Sequence, residues 1–289
     1  MVCSTSIRSA SMNFRSSDAS IGVFDSGIGG LSVLKALQAE LPLENFIYIA
    51  DSAHAPYGER DEAHVIARSR AITAYLVSQN IKALVIACNT ATAAAIDLLR
   101  AEHPLLPIIG VEPALKPAVA ASKTGHIAVM ATRSTLGSAK FQVLMAAHRG
   151  LAHVTVVPCD GLADAIERSA NTKNATEIIA ACARITCRLG LFGAQKGHID
   201  TLVLGCTHYP FAAAYLRTLV GPDVQLLDNS GAVARQTRRQ LEKAGALLVS
   251  PSMAVKGDIR MLSTGQTDLL QAAAQYWLEL ETTSNILCF

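Results

Sequence analysis

Two short stretches constrain this chain more than any other feature. Residues 83–90 read ALVIACNT and residues 201–208 read TLVLGCTH. Leu84 matches Leu202, Val85 matches Val203 and Cys88 matches Cys206, each pair 118 positions apart (206 − 88). Each stretch is a continuous apolar run of strand length that ends in a cysteine followed by hydrogen-bonding side chains. The runs opening at Ile21 and Ile127 also match, at an offset of 106 (127 − 21). Such a period is too long for a solenoid. It predicts two similar α/β domains.

Around these runs the pattern alternates. A buried strand over 21–24 ends in Asp25-Ser26-Gly27-Ile28-Gly29-Gly30 and leads into a helix through Leu31, Val33, Leu34 and Leu37. A second strand over 46–50 ends at Asp51; a polar loop containing Tyr57 and Gly58 follows, then a helix over roughly 62–79. The strand before Cys88 is followed by a helix through Ala93, Ile96, Leu98 and Leu99. Strand, polar tip, helix, strand implies a parallel sheet covered on both faces, with functional groups at the carboxyl ends of the strands. The expected fold is α/β, with two similar parallel-sheet α/β domains facing across a cleft and related by a pseudo-twofold. The run 108–114 reads as a strand and crossover, Leu226-Leu227-Asp228 as a return strand, and 230–243 as a helix packing back on the first domain. The expected division is 21–113 plus 226–289 for the first domain and 114–225 for the second.

Composition narrows the class. A chain of 289 residues with 51% hydrophobic and 17% charged residues has enough apolar content for two cores. No apolar run approaches the roughly 18 residues of a membrane span. A net charge of +2 without a Lys/Arg stripe argues against nucleic acid as a partner. Seven cysteines, an odd number, in a chain large enough to fold without disulfides imply reduced thiols in a cytoplasmic protein. Residues 1–20 are serine-rich and lack an apolar core, so they read as a disordered leader rather than a secretory signal.

Three features carry chemistry. The glycine-rich turn after Asp25 lacks the Rossmann spacing, because position 32 is serine; its backbone N–H groups suit a small anion such as a carboxylate, and Asp25 suits an ammonium group or a neighbouring thiol. A plain turn capped by Asp25 and Ser26 is the alternative. Cys88 and Cys206 are the second and third. Either one alone would read as a core hydrophobe, but two at matching strand tips would flank whatever occupies the cleft. Each precedes a helix whose N-terminal field is expected to lower its thiol pKa. Opposed thiols suit removal of a proton from one face of a carbon and its return to the other, the pair titrating as a unit. A zinc site or a Cys206–His208 hydrolase fits less well, since each leaves ligands or one cysteine unaccounted for, and a disulfide across the cleft meets no structural need in a cytosolic chain. No metal is expected. Cys3, Cys159, Cys182, Cys187 and Cys288 read as core or tail thiols.

The segments FDSGIGGLSV at 24–33, DSAHAPYGER at 51–60, ACNTAT at 87–92 and LGCTHYPF at 204–211 resemble, in order, those of the glutamate racemase family. The likeness spans roughly 21–240, and its wording is that of the glutamate branch of a wider superfamily that includes aspartate and hydantoin racemases. The resemblance implies a cofactor-independent racemase that supplies D-glutamate for peptidoglycan. Position by position it makes Cys88 and Cys206 the catalytic bases, and it makes Asp25 with Ser26, Tyr57 with Gly58, Asn89 with Thr90, and Thr207 with His208 the substrate contacts. Thr132 and Thr135 stand where the family has a threonine pair, although ATRST replaces the commoner GTxGT. Asp25 and His208 correspond to groups assisting each thiol, and Glu167 to a further assisting glutamate. The polar leader resembles that of proteobacterial members of the family, some of which respond to the peptidoglycan precursor UDP-N-acetylmuramoyl-L-alanine. A monomer or homodimer fits equally. A racemase or lyase acting on another acid such as aspartate, or a non-enzymatic binding protein, stays open on the residues alone.

Overall fold

The computed structural model describes residues 17–248, 256–279 and 284–286. Residues 1–16 of the expected leader, with Cys3 and Cys288, lie outside the described residues.

The alternation read in the sequence becomes two all-parallel sheets. The strands in chain order are β1 (Ile21–Asp25), β2 (Phe46–Ala50), β3 (Ala83–Ile86), β4 (Ile108–Gly110), β5 (His126–Ala131), β6 (His153–Pro158), β7 (Thr201–Leu204), β8 (Gln225–Leu227), β9 (Ile259–Ser263) and β10 (Ser284–Ile286). The helices are α1 (Leu31–Glu40), α2 (Glu62–Ser78), α3 (Asn89–Glu102), α4 (Leu115–Ala121), α5 (Arg133–Gly137), α6 (Ala139–Ala147), α7 (Leu162–Thr172), α8 (Thr176–Thr186), α9 (Ala213–Val220), α10 (Ser230–Lys243) and α11 (Thr267–Leu278).

The first sheet has the order β10-β9-β2-β1-β3-β4 and the second β6-β5-β7-β8. Four strands of each follow the same order, with β1 to β4 answering to β5 to β8. The sequence repeat is therefore a repeat of structure, and the expected two-domain parallel architecture is the one adopted. Cys88 and Cys206 sit two residues beyond the ends of the equivalent strands β3 and β7.

Apolar continuity explains the central strands. Every residue of β1, β2 and β3 is buried, which only a sheet covered on both faces provides. On one side Leu31, Val33, Leu34 and Leu37 of α1 share a core with Val233, Ala234 and Leu241 of α10. On the other, Ile72 and Leu76 of α2 pack with Ile96 and Leu99 of α3 over Phe24, Ile49 and Leu84. Each such Val, Leu, Ile or Phe side chain contributes about 1.5–3 kcal/mol through removal from water.

One boundary differs from expectation. Leu226 and Leu227, read as a strand returning to the first domain, pair with Leu202 and Val203 and so extend the second sheet. The chain rejoins the first core only with α10, which occupies the span expected for it. The C-terminal strands β9 and β10 then widen the first sheet beyond β2. Among the described residues no helix is long and apolar enough to cross a membrane.

Candidate active site

In a parallel sheet the loops at the carboxyl ends of the strands collect on one edge. Here those edges from both sheets line a single cavity of about 340 Å³. The first contributes Ser26, Tyr57, Gly58, Cys88, Asn89 and Thr90; the second contributes Thr132, Glu167, Cys206, Thr207 and His208. Two expected residues stand back from the wall. Asp25 is fully buried beneath the glycine-rich turn, and Thr135 lies behind Thr132, whose hydroxyl donates to Thr135 Oγ1 at 3.0 Å.

Cys88 occupies the N-cap of α3, where its sulfur accepts the Ala91 amide N–H at 3.4 Å. It also stands 3.9 Å from the Ser26 hydroxyl, to which its thiol donates. The helix field expected to lower this thiol does not prevail. Burial pushes Cys88 well above the ordinary thiol range, and the neighbouring Asp25 charge adds to the shift, against the smaller opposing pull of the Ala91 bond. Desolvation of a thiolate at a site only 5% exposed outweighs one amide dipole.

Cys206 is set differently. Its sulfur lies 3.6 Å from Nδ1 of His208, and Nε2 of His208 lies 2.7 Å from Oε1 of Glu167. Burial alone would lower the His208 pKa, but its hydrogen bonds to Cys206 and Glu167 more than offset this and raise it well above the ordinary value.

The same Glu167 oxygen accepts the Ile28 amide N–H at 2.9 Å, so a helix of the second domain touches the glycine-rich turn of the first. This contact requires bare backbone. A Cβ at Gly29 would stand 2.6 Å from Cε1 of the His208 ring, and one at Gly27 would collide with the Glu167 carboxylate. Asp25 accepts the Gly30 amide at 2.7 Å and the Thr207 hydroxyl at 3.4 Å on Oδ2. Burial raises the Asp25 pKa, with His208 pulling the other way. Its Oδ1 and the Nδ2 of Asn89 are buried without a hydrogen-bond partner, a polarity that a ligand can satisfy. Across the cleft the hydroxyls of Thr90 and Thr132 are 3.2 Å apart.

A family profile described as Asp/Glu/Hydantoin racemase matches residues 22–237. The chain belongs to that family. A glutamate racemase of Ectopseudomonas mendocina (strain ymp) is 44% identical over 264 residues, which cover 90% of this chain and 97% of that protein. A crystal structure of a Bacillus anthracis glutamate racemase aligns with a TM-score of 0.80 at 29% identity, covering 93% of this chain and 97% of the other. Escherichia coli glutamate racemase, in complex with L-glutamate and the activator UDP-MurNAc-Ala, aligns with a TM-score of 0.77 at 28% identity, covering 89% and 94%. The resemblance read in the sequence, and with it the expectation of an amino-acid racemase, is borne out.

Several residues of this racemase-family site were not legible in advance. Asp51 was placed at a strand tip, but its partners were not foreseen. It accepts the Tyr57 hydroxyl at 2.5 Å and Arg68 through Nε and a terminal nitrogen, both at 2.9 Å. Arg68 belongs to no motif, and its reach back to Asp51 spans a loop and a helix turn. Cys159, read as a core thiol, is buried but also lines the cavity; burial pushes it up to about 12. Cys187 is exposed rather than core. Among the described residues, no group of three or more His, Cys, Asp or Glu side chains could hold a metal ion.

Proposed function

We propose that this family member is a cofactor-independent glutamate racemase that works by two-base proton transfer between Cys88 and Cys206. The observation that carries the reading is that both thiols line one cavity, each at the equivalent strand tip of one of two repeated sheets. The thiolate of one cysteine takes the α-proton: an S–H bond forms, the C–H bond breaks, and its electron pair spreads into the α-carboxylate. The thiol of the other cysteine then gives its proton to the opposite face. At that point the protonation states of the two sulfurs have exchanged.

His208, backed by Glu167, stands beside Cys206 to assist its proton transfer, and burial favours the thiol form of Cys88. Asn89, Thr90, Thr207 and nearby backbone N–H groups stabilise the charge that develops on the carboxylate. Ser26, with Asp25 beneath it, holds the ammonium end. Tyr57 with Gly58, and Thr132 with Thr135 behind it, bound the remainder of the substrate. The units spanning 21–113 with the C-terminal segment, and 114 to β8, close over it and exclude water.

D-Glutamate made this way would supply peptidoglycan synthesis in the cytoplasm, where thiols stay reduced. As in the Escherichia coli relative, UDP-MurNAc-Ala is proposed as an activator, and the assembly as a monomer or homodimer. The test is incubation with L-glutamate in D₂O without added cofactor. Deuterium at Cα accompanied by loss of optical rotation is expected. Retention of rotation without exchange would sink the reading, and faster turnover of L-aspartate in a parallel arm would reassign the substrate.

A further inference from the structure

Behind the substrate-facing wall, the turn after β9 grips the loop after β2. Thr264 donates its hydroxyl to Oδ1 of Asp51 at 2.7 Å and accepts the Ala53 amide at 3.2 Å. Its own amide donates to the Ala50 carbonyl at 3.0 Å. The two backbones are close enough that a Cβ on Gly265 would lie 3.0 Å from the Ala53 nitrogen. Asp51 is fully buried, and each of its oxygens takes two hydrogen bonds: Tyr57 and Arg68 on Oδ2, Arg68 and Thr264 on Oδ1. A carboxylate has about four acceptor directions, so this one is saturated and its partners fix one another. From Thr264 the chain continues to Gln266 and Leu269, which line the same cavity as Cys88 and Cys206.

We propose that Thr264 is a positioning residue which, through Asp51 and Arg68, holds the Tyr57–Gly58 turn against the substrate, so that the C-terminal segment sets substrate affinity. This deepens the glutamate racemase reading and rests on it. Thr264 touches no reacting atom, so its loss weakens ground state and transition state alike, which raises KM and leaves kcat in place.

The test compares Thr264→Val, which keeps the shape and removes the hydroxyl, with Thr264→Ser, which keeps the hydroxyl. Thr264→Val is expected to raise KM for L- and D-glutamate roughly three- to tenfold, the scale of one net hydrogen bond, as the hydroxyl's bonds to Asp51 and from the Ala53 amide are lost, with kcat within about twofold. Thr264→Ser restores the wild-type KM. Arg68→Lys, which keeps the charge but loses the two-pronged contact, reproduces the same split should Thr264→Val fold poorly. Hydrogen exchange over residues 51–60 reads the clamp without activity: faster exchange in Thr264→Val and wild-type exchange in Thr264→Ser are expected. Unchanged KM and exchange in Thr264→Val, or equal impairment in Thr264→Ser, overturns the proposal. A wild-type chain inert toward glutamate sinks the racemase reading instead, and the exchange arm still decides the clamp.

Discussion

The carboxylate of Glu167 lies 2.7 Å from Nε2 of His208, whose other ring nitrogen is 3.6 Å from the sulfur of Cys206. The three groups form a charge-stabilised row along one side of the cavity, and its far end also takes the Ile28 amide from the opposite domain. Replacing Glu167 by Gln removes the negative end of the row. A hydrogen bond to a charged group is worth about 1.5–3 kcal/mol, so kcat should fall roughly ten- to a hundredfold. Steady-state rates from each enantiomer check this, and wild-type kcat in both directions would rule out the row as a working unit.

His208 also links stability to pH. Its folded pKa is raised above the ordinary 6.5, so the charged ring contributes stability that is fully present below that ordinary value and is lost as pH rises through the raised folded value. The stability gap between wild type and His208→Asn should be widest in mild acid and shrink in alkali. Urea unfolding at a series of pH values measures it; a gap that widens toward alkali contradicts the assignment.

Cys88→Ser and Cys206→Ser should each lower racemisation roughly 10²- to 10⁴-fold, the span of one positioned acid or base. Binding of glutamate, followed by calorimetry, should persist in both. Full turnover in either mutant is incompatible with two opposed bases.

Gly27 and Gly29 separate two kinds of crowding. At Gly29 a methyl meets the rigid His208 ring, so Gly29→Ala should cost about 1–3 kcal/mol of stability as well as activity. At Gly27 it meets the end of the flexible Glu167 side chain, which can swing away from His208. Gly27→Ala should therefore lose activity out of proportion to its shift in thermal midpoint. Denaturation paired with kinetics tells the two apart.

Arg68→Ala leaves the Asp51 carboxylate buried without its cation, an arrangement that costs about 3 kcal/mol or more. Burial would raise the Asp51 pKa, but its bonds from Arg68, Tyr57 and Thr264 prevail and hold it below the ordinary 3.8. Its contribution is accordingly present above that ordinary value and lost as pH falls through the lower folded one. The destabilisation in Arg68→Ala should be large at neutral pH and diminish in strong acid, as acid unfolding curves would record.

Much of this architecture was readable from local pattern. The buried runs at 21–24, 46–50 and 83–87, each closed by a polar tip, required a parallel sheet, because nothing else covers both faces of so apolar a strand. The matching runs before Cys88 and Cys206 required a repeat. The short run at 226–228 was misplaced because apolar content shows that a strand exists and not which neighbour it pairs with. Its register against Leu202 and Val203 depends on a long-range meeting of chain segments.

Residue order and short-range periodicity were enough to establish the repeat, the strand-tip location of the two cysteines and the family. Tertiary structure alone decided the surroundings of the thiols. Cys88 is raised because it is packed dry beside Asp25, a desolvation cost that overrides the helix field its position promised. Cys206 is paired with a charged His208 because α7 delivers Glu167 to it. Desolvation and coupling depend on what lies within a few ångströms in space, and that is set by packing between segments remote in the chain.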